Sequence, residues 1–395
     1  MIFDLFHSVS DPVVNGRSLG AKKSIENYLD QVFLAESLGM DTAWLAESHF
    51  SSETQKKTSV ATIQNFFGEV GLNCDSFQFL SLLIAKTKRI HLGTGIHNIV
   101  GGSGGPISSA ERVNFLHFLN QSIWQNGTTD RELKIGFASG RFPYQNTPFG
   151  FVPRDSMEKD LWDSIKPKIF LEALEIFVRL LKGEELSSET VSTQLLSAAD
   201  VKSAELRAKY EFPIKLKARW NFESLKLIPE KQSPKGLRLV LGSGDPAALE
   251  LAYRHWPVDL FNLSFTPPEQ IEKLHIKMSE LNKKFDMPWK RERLPRTVLV
   301  FIDPDPKKAL EHANFVLDTY VEAMRGTAMV PNKEVLLQRA LVGDAAQIRE
   351  QLHPENVRGF QKDDRLMLWF EFNQLDNELI KKQMRYFFDE VVAKI

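Results

Sequence analysis

Asp41-Thr-Ala-Trp-Leu-Ala-Glu-Ser-His-Phe50 carries the first strong signal of architecture in this chain. Thr42 to Ala46 is a short apolar run. It begins three residues after Gly39, the stop signal of a helical pattern formed by Ile25, Tyr28, Leu29, Val32 and Phe33. The run breaks off into a carboxylate, a hydroxyl and an imidazole: Glu47, Ser48 and His49. A buried parallel strand whose C-terminal end opens into a polar site reads this way. In a (β/α)8 barrel that end is the face on which chemistry is built.

The same alternation runs along the rest of the chain. Ile2 to His7 precedes the stretch as a first strand. Arg89 to Asn98, Leu133 to Ala138, Leu237 to Leu241, Val258 to Phe265, Arg296 to Ile302 and Leu366 to Phe372 follow it, with helical patterns between them. Eight apolar strands alternating with helices, and no early G-x-G-x-x-G turn, predict an α/β fold of the (β/α)8 TIM barrel type over a doubly wound sheet. A single domain spanning 1–395 is expected, with insertions at about 51–74 and 187–236. The first insertion occupies a βα loop, where long segments are usually functional. The second lies between a helix and the next strand, which assigns it to the stability face unless it folds around the edge. Gly101-Gly-Ser-Gly-Gly-Pro106 is expected to be irregular.

Composition narrows the class. Net charge is −1 and no basic block stands out, which argues against nucleic acid or an anionic membrane as partner. No apolar run approaches the roughly 20 residues that span a bilayer. The chain opens directly on a strand-like Ile2-Phe3-Asp4-Leu5-Phe6 without a signal-peptide pattern. Cys74 is the single cysteine, so neither an internal disulfide nor a thiolate zinc cluster is expected. A cytoplasmic globular protein without a metal site follows.

Two features suggest chemistry from the residues alone. Leu237 to His255 reads as a strand that stops at Gly242-Ser243-Gly244, with Asp245 as cap and Pro246 opening a helix. Backbone N–H groups at the positive end of a helix dipole make such a turn a phosphate cradle. An ordinary capped βα turn fits the pattern equally well. The second feature is three imidazoles, His7, His49 and His97, at or just past strand ends, where acid–base catalysts are expected. The other six histidines, His91 and His255 among them, read as structural. Glu47 either orients His49 or makes a structural hydrogen bond.

Ala46-Glu47-Ser48-His49-Phe50 resembles the Ala-Glu-His-His-Phe stretch of the bacterial luciferase-like, flavin-dependent monooxygenases, with Ser48 in place of the first histidine. Gly93-Thr94-Gly95-Ile96 is similar to the Gly-Thr-Ala-Ala turn of these enzymes, where a non-proline cis peptide presses against the flavin ring. By that likeness the bond would join Gly95 to Ile96. Ile135-Gly136-Phe137-Ala138-Ser139-Gly140-Arg141 resembles the family's Phe-Gly-x-x-Arg-Gly element, with Ala138 where luciferase has cysteine. Trp369-Phe370-Glu371-Phe372-Asn373 resembles its Gly-Phe-Glu-Ala-Asn turn, and Glu371 would line the pocket.

The resemblance implies a luciferase-like barrel that binds FMN. Cofactor contacts would come from Glu47, Gly95, Ile96, Ser139, Arg141, Gly242, Ser243 and Gly244, with the phosphate on Ser243 and Gly244. Arg141 would reach that phosphate or a substrate anion, or else pair with a loop carboxylate. His49, His97 and His7 would handle protons. The implied activity is a two-component monooxygenase: a separate NAD(P)H-dependent flavin reductase supplies reduced FMN, and O2 oxidises a small hydrophobic substrate. A homodimer is expected. Light emission is not, given Ser48 and Ala138. The rival readings are a deazaflavin-dependent dehydrogenase on the same barrel and a non-catalytic flavin-binding protein or silent subunit.

Overall fold

The computed structural model describes residues 1–57, 63–124, 131–230, 234–262, 266–327 and 330–395. The strands of the main sheet, in chain order, are β1 (Ile2–His7), β2 (Thr42–Leu45), β3 (His91–Asn98), β4 (Leu133–Ala138), β5 (Leu237–Leu241), β6 (Val258–Leu260), β7 (Arg296–Ile302), β8 (Leu341–Gly343) and β9 (Arg365–Trp369). Their principal helices are α1 (Ala21–Leu38), α2 (Ser76–Lys86), α3 (Gly105–Trp124), α4 (Trp162–Leu181), α5 (Pro246–His255), α6 (Pro268–Lys284), α7 (Pro306–Met324), α8 (Ala345–Gln351) and α9 (Asn377–Glu390). Contacts divide the chain into two compact units. One comprises Met1–Gly95 and Leu260–Ile395, the other Ile96–Asp259.

In the first unit the strands are ordered β3-β2-β1-β9-β7-β8, all parallel. Leu5 sits between Ala43 and Leu368, so side chains of one layer meet across three strands. α1 ends at Gly39 in the left-handed region (φ 83°), where Gly39 N–H donates to Glu36 and Met40 N–H to Ala35. This paired closure satisfies two terminal carbonyls and feeds the chain into β2. At the N-terminal strand ends, Arg365 pairs with the fully buried Asp4 at 2.8 Å and with Asp41, while Trp44 Nε1 donates to Asp4 at 2.7 Å. Burial opposes the Arg365 charge, but the two carboxylates outweigh it and hold its pKa above the ordinary value.

The second unit carries β4 beside β5 in parallel register, from Leu133 opposite Leu237 to Phe137 opposite Leu241. Ile99 N–H, just past β3, donates to Ala138. α4 buries a broad apolar face including Ile169, Phe170, Leu174, Phe177 and Leu181. The segment after α4 is held to it and to the turn before it by polar contacts: Ser164 hydroxyl on α4 donates to the Asp200 carbonyl at 2.9 Å, and ahead of α4 Arg219 pairs with Glu158 at 2.6 Å and the Tyr210 hydroxyl donates to Asp160 at 2.7 Å.

Several boundaries differ from expectation. β8 was not anticipated, because Leu-Val-Gly is too short to show a period. β9 ends at Trp369 rather than Phe372, and β6 at Leu260 rather than Phe265; residues 263–265 lie outside the described residues, as do 58–62 and 231–233 of the two insertions. The glycine run is partly regular: α3 starts at Gly105, whose Cβ would come 3.0 Å from Trp220 Nε1, and Pro106 is tolerated in the first turn. The buried face of α1 is also rotated. Ser24, Asn27 and Gln31 are buried beside Tyr28 and Val32, and Phe33 is exposed.

Candidate functional site

In the first unit the C-terminal ends of β1, β2 and β9 each turn through a left-handed, non-glycine residue: Val9 (φ 54°), Phe50 (φ 63°) and Asn373 (φ 53°). For a β-branched valine this conformation is costly, and such strain clusters at functional sites. Past β2, Glu47 Oε1 lies 3.0 Å from His49 Nε2, and Glu47 Oε2 accepts from Ser76 N–H at the start of α2. An ionised carboxylate only accepts, so Nε2 carries the proton and Nδ1 is left as the basic atom. Past β1 and β9, Glu371 Oε1 accepts from the Ser8 hydroxyl at 2.6 Å, the Ser8 N–H and Trp369 Nε1 at 3.0 Å.

Ser48 has a local reason. Its hydroxyl accepts from Gln55 Nε2 at 3.0 Å, and a Cβ on Gly71 would approach its own Cβ to 2.7 Å.

The Gly95 expectation needs correction. Among the described residues the cis peptides are Phe212–Pro213 and Ile228–Pro229, so the cis bond expected at Gly95–Ile96 is not found. β3 runs as an unbroken strand through both residues, and its ladder with β2 is in register up to Leu45 opposite Thr94. A non-proline cis bond costs about 3–4 kcal/mol, which an unbroken strand gives no reason to bear. The glycines serve close packing instead. A Cβ on Gly93 would meet Trp44 at 2.4 Å, and one on Gly95 would meet Phe6 and Phe261 at 3.1 and 3.2 Å.

The second unit contains a cavity of about 510 Å³. Ser139 and Arg141 reach it from beyond β4, and Ser243 and Asp245 from beyond β5. Asn98 builds the β4 side: its Nδ2 donates to Gln145 O at 2.9 Å and to Asn146 Oδ1 at 3.1 Å, while Asn146 Nδ2 donates to Ser139 and Gly140 carbonyls. Gly140 (φ 71°) is required there, since a Cβ would come 2.5 Å from Asn98 Nδ2. On the β5 side Asp245 caps α5, accepting from Ala248 N–H at 2.9 Å, while its own N–H donates to Ser243 Oγ at 3.2 Å.

Sequence reasoning missed the far wall. Trp162, Asp163, Lys166 and Lys168 line it from α4, and Asp200 from the second insertion. Lys166 pairs with Asp163 at 2.6 Å and Lys168 with Asp200 at 3.0 Å. The insertion thus reaches a cavity at strand C-termini, the exception that the barrel rule allowed. Only the charged i,i+3 spacing of Asp163 and Lys166 could have hinted at this wall.

Ser139, Arg141 and Ser243 suit a phosphate: two hydroxyls, one guanidinium and the N-terminal turn of α5. Asp245 is occupied as a cap. Ile96, His97, Gly242 and Gly244 are not among the lining residues. His97 is fully buried, with Nε2 2.9 Å from the Ser109 hydroxyl, and Gly242 makes room for Ile96, whose Cδ1 would lie 2.7 Å from an added Cβ. His7 is buried as well, its Nδ1 accepting from Val9 N–H at 2.9 Å and lying 3.3 Å from Glu371 Oε1. Among the described residues no cluster of His, Cys, Asp or Glu could hold a metal, and no helix is long and apolar enough to cross a membrane.

Strand order, helix placement and polar strand ends define an α/β protein of the luciferase-like TIM-barrel type, and the same fold recurs in solved structures. A monooxygenase from Streptomyces bottropensis, RslO1, superposes with a TM-score of 0.71 at 18% identity, covering 100% of this chain and 99% of that one. The oxygenating constituent of 3,6-diketocamphane monooxygenase from Pseudomonas putida, solved with FMN, gives 0.60 at 16% identity over 100% and 99%. An F420-dependent secondary alcohol dehydrogenase gives 0.57 at 13% identity over 99% and 98%. A comparison with curated proteins finds no match. Residues 5–119 match the family described as Luciferase-like monooxygenase.

Proposed function

We propose that this protein is an FMN-dependent monooxygenase of the two-component kind, receiving reduced FMN from a separate NAD(P)H-dependent flavin reductase and oxidising a small hydrophobic substrate with O2. The observation that carries the proposal is the convergence of Ser139, Arg141 and Ser243, from two strand ends, on one cavity of ligand size. In this reading Arg141 holds the phosphate bidentately, and the Ser139 and Ser243 hydroxyls donate to its remaining oxygens. Bound reduced flavin supplies the reducing equivalents for O2. His49 accepts a proton at Nδ1 and returns it, and Glu47 keeps the ring in the Nε2–H tautomer. The proposal includes a homodimer, which light scattering tests.

Equilibrium titration with FMN and riboflavin, followed by turnover with a flavin reductase and NADH in air, tests the reading. FMN is expected to bind more tightly than riboflavin, by tenfold or more, through its phosphate. Equal affinity, or binding of neither, overturns it. A second reading, a deazaflavin-dependent dehydrogenase, draws on the likeness to the F420-dependent enzyme. Preference for the deazaflavin with no O2 consumption selects it.

A further inference from the structure

The three residues after Glu47 form a turn, and a single side chain is bonded to all three. Gln55 Nε2 donates to the Ser48 hydroxyl at 3.0 Å, to the His49 carbonyl at 3.0 Å and to the Phe50 carbonyl at 3.3 Å. An amide carries two N–H groups, so one of them is shared between neighbouring acceptors. Gln55 is itself only 5% exposed. The turn it grips holds Phe50 in the left-handed region (φ 63°), a conformation that a non-glycine residue keeps only where its surroundings over-determine it.

Gln55 is in turn held by the chain around it. It lies on the short helix Ser52–Lys56, near the start of the first insertion. Buried Ser52 donates its N–H to Glu69 at 2.8 Å, and its hydroxyl accepts from Val70 N–H at 2.9 Å. Gly68–Glu69 pairs antiparallel with Asp11–Pro12, just beyond β1. Further along, Leu72 N–H donates to the Val9 carbonyl and Ser48 N–H to the Asn73 carbonyl, each at 2.8 Å. These contacts tie the insertion to the turns that follow β1 and β2, and with it the helix that bears Gln55.

We propose that Gln55 is a positioning residue for His49, and that the first insertion serves to carry it. By fixing the carbonyls of His49 and Phe50, Gln55 sets the direction in which the imidazole leaves the backbone. Nε2 then meets Glu47 Oε1 at 3.0 Å, and Nδ1 is left as the basic atom. This role rests on His49 being the proton acceptor, and it gives Gln55 no contact with substrate or flavin. A misplacement of about 1 Å in such a group can cost about a hundredfold in rate.

Two variants of the full-length protein test it. Gln55→Met keeps the length of the side chain and removes its donors; Gln55→Asn keeps the amide and withdraws it by one carbon. Both are expected to retain FMN affinity. In the reductase-coupled assay with NADH in air, kcat should fall about tenfold to a hundredfold in Gln55→Met, and by less in Gln55→Asn. 15N-histidine labelling, with the His49 resonances identified by their loss in His49→Ala, should show the Nε2–H form alone in the native protein and both tautomers in Gln55→Met. A residue that only stabilised the fold would lower the melting temperature and leave kcat and tautomer where they are. Folded Gln55 variants that keep the single tautomer, or that lose it with kcat unchanged while His49→Ala is inactive, overturn the proposal. Full turnover in His49→Ala overturns the proton-acceptor reading instead, and the tautomer then still decides whether Gln55 holds the ring.

Discussion

Glu47 and His49 form a carboxylate–imidazole pair 3.0 Å apart, with the carboxylate almost wholly enclosed and the ring partly open to solvent. A donor locked on one side leaves the opposite nitrogen as the reactive one. His49→Ala is therefore expected to retain FMN affinity and lose turnover by about 10²- to 10⁴-fold, the usual contribution of a positioned proton-transfer group. Glu47→Gln keeps the size but can turn an amide donor toward Nε2, and should lower kcat with little change in KM. Unaltered kcat in both variants would leave the pair structural.

Arg141 and Ser243 meet the cavity from different strands. Loss of a charge-assisted hydrogen bond costs about 1.5–3 kcal/mol, so Arg141→Ala should weaken FMN binding by roughly tenfold to a hundredfold. Ser243→Ala, a neutral donor, should weaken it by less than tenfold. Riboflavin, which lacks the phosphate, serves as the control: its affinity should not move in either variant.

Arg365 joins the fully buried Asp4 to Asp41 beneath the first unit's strands. Arg365→Met strands the Asp4 carboxylate without its cation. Breaking one side of a buried pair costs about 3–5 kcal/mol, and urea denaturation should show a loss of that order. A loss below about 1 kcal/mol would mean that Trp44 alone satisfies Asp4.

His7 gives stability a pH dependence of defined sign. Its folded pKa is lowered by burial, with Glu371 opposing, so in acid the unfolded chain binds the proton more readily. The contribution is complete above the unfolded value of about 6.5 and is lost as pH falls below it. His275 and His312 are lowered for the same reason and add to the slope. His7→Gln should flatten the stability profile below about pH 6.5; an unchanged slope would assign the effect to the other lowered histidines, His255, His275 and His312.

Apolar runs carried most of the fold. The runs at Ile2, Leu133, Leu237 and Arg296 became strands with the expected ends, because a buried parallel strand leaves a continuous hydrophobic signature. What stayed hidden depends on partners distant in sequence. Gly93 and Gly95 matched a flavin-contacting turn in pattern, but their glycines answer to Trp44, Phe6 and Phe261. Asn27 and Gln31 lie outside the apolar spacing of α1, because helical periodicity weighs hydrophobicity, yet both are buried. Asp200 lies about forty residues before β5, and its place opposite Ser243 follows from ion pairs along α4 that no spacing encodes.

The Lys168–Asp200 bridge has an evolutionary corollary. One wall of the cavity belongs to a segment that contributes no strand to the main sheet and is fastened to α4 by side-chain pairs. Substitutions or length changes there can reshape what the cavity admits while every barrel strand keeps its register, so ligand preference is free to drift independently of the scaffold.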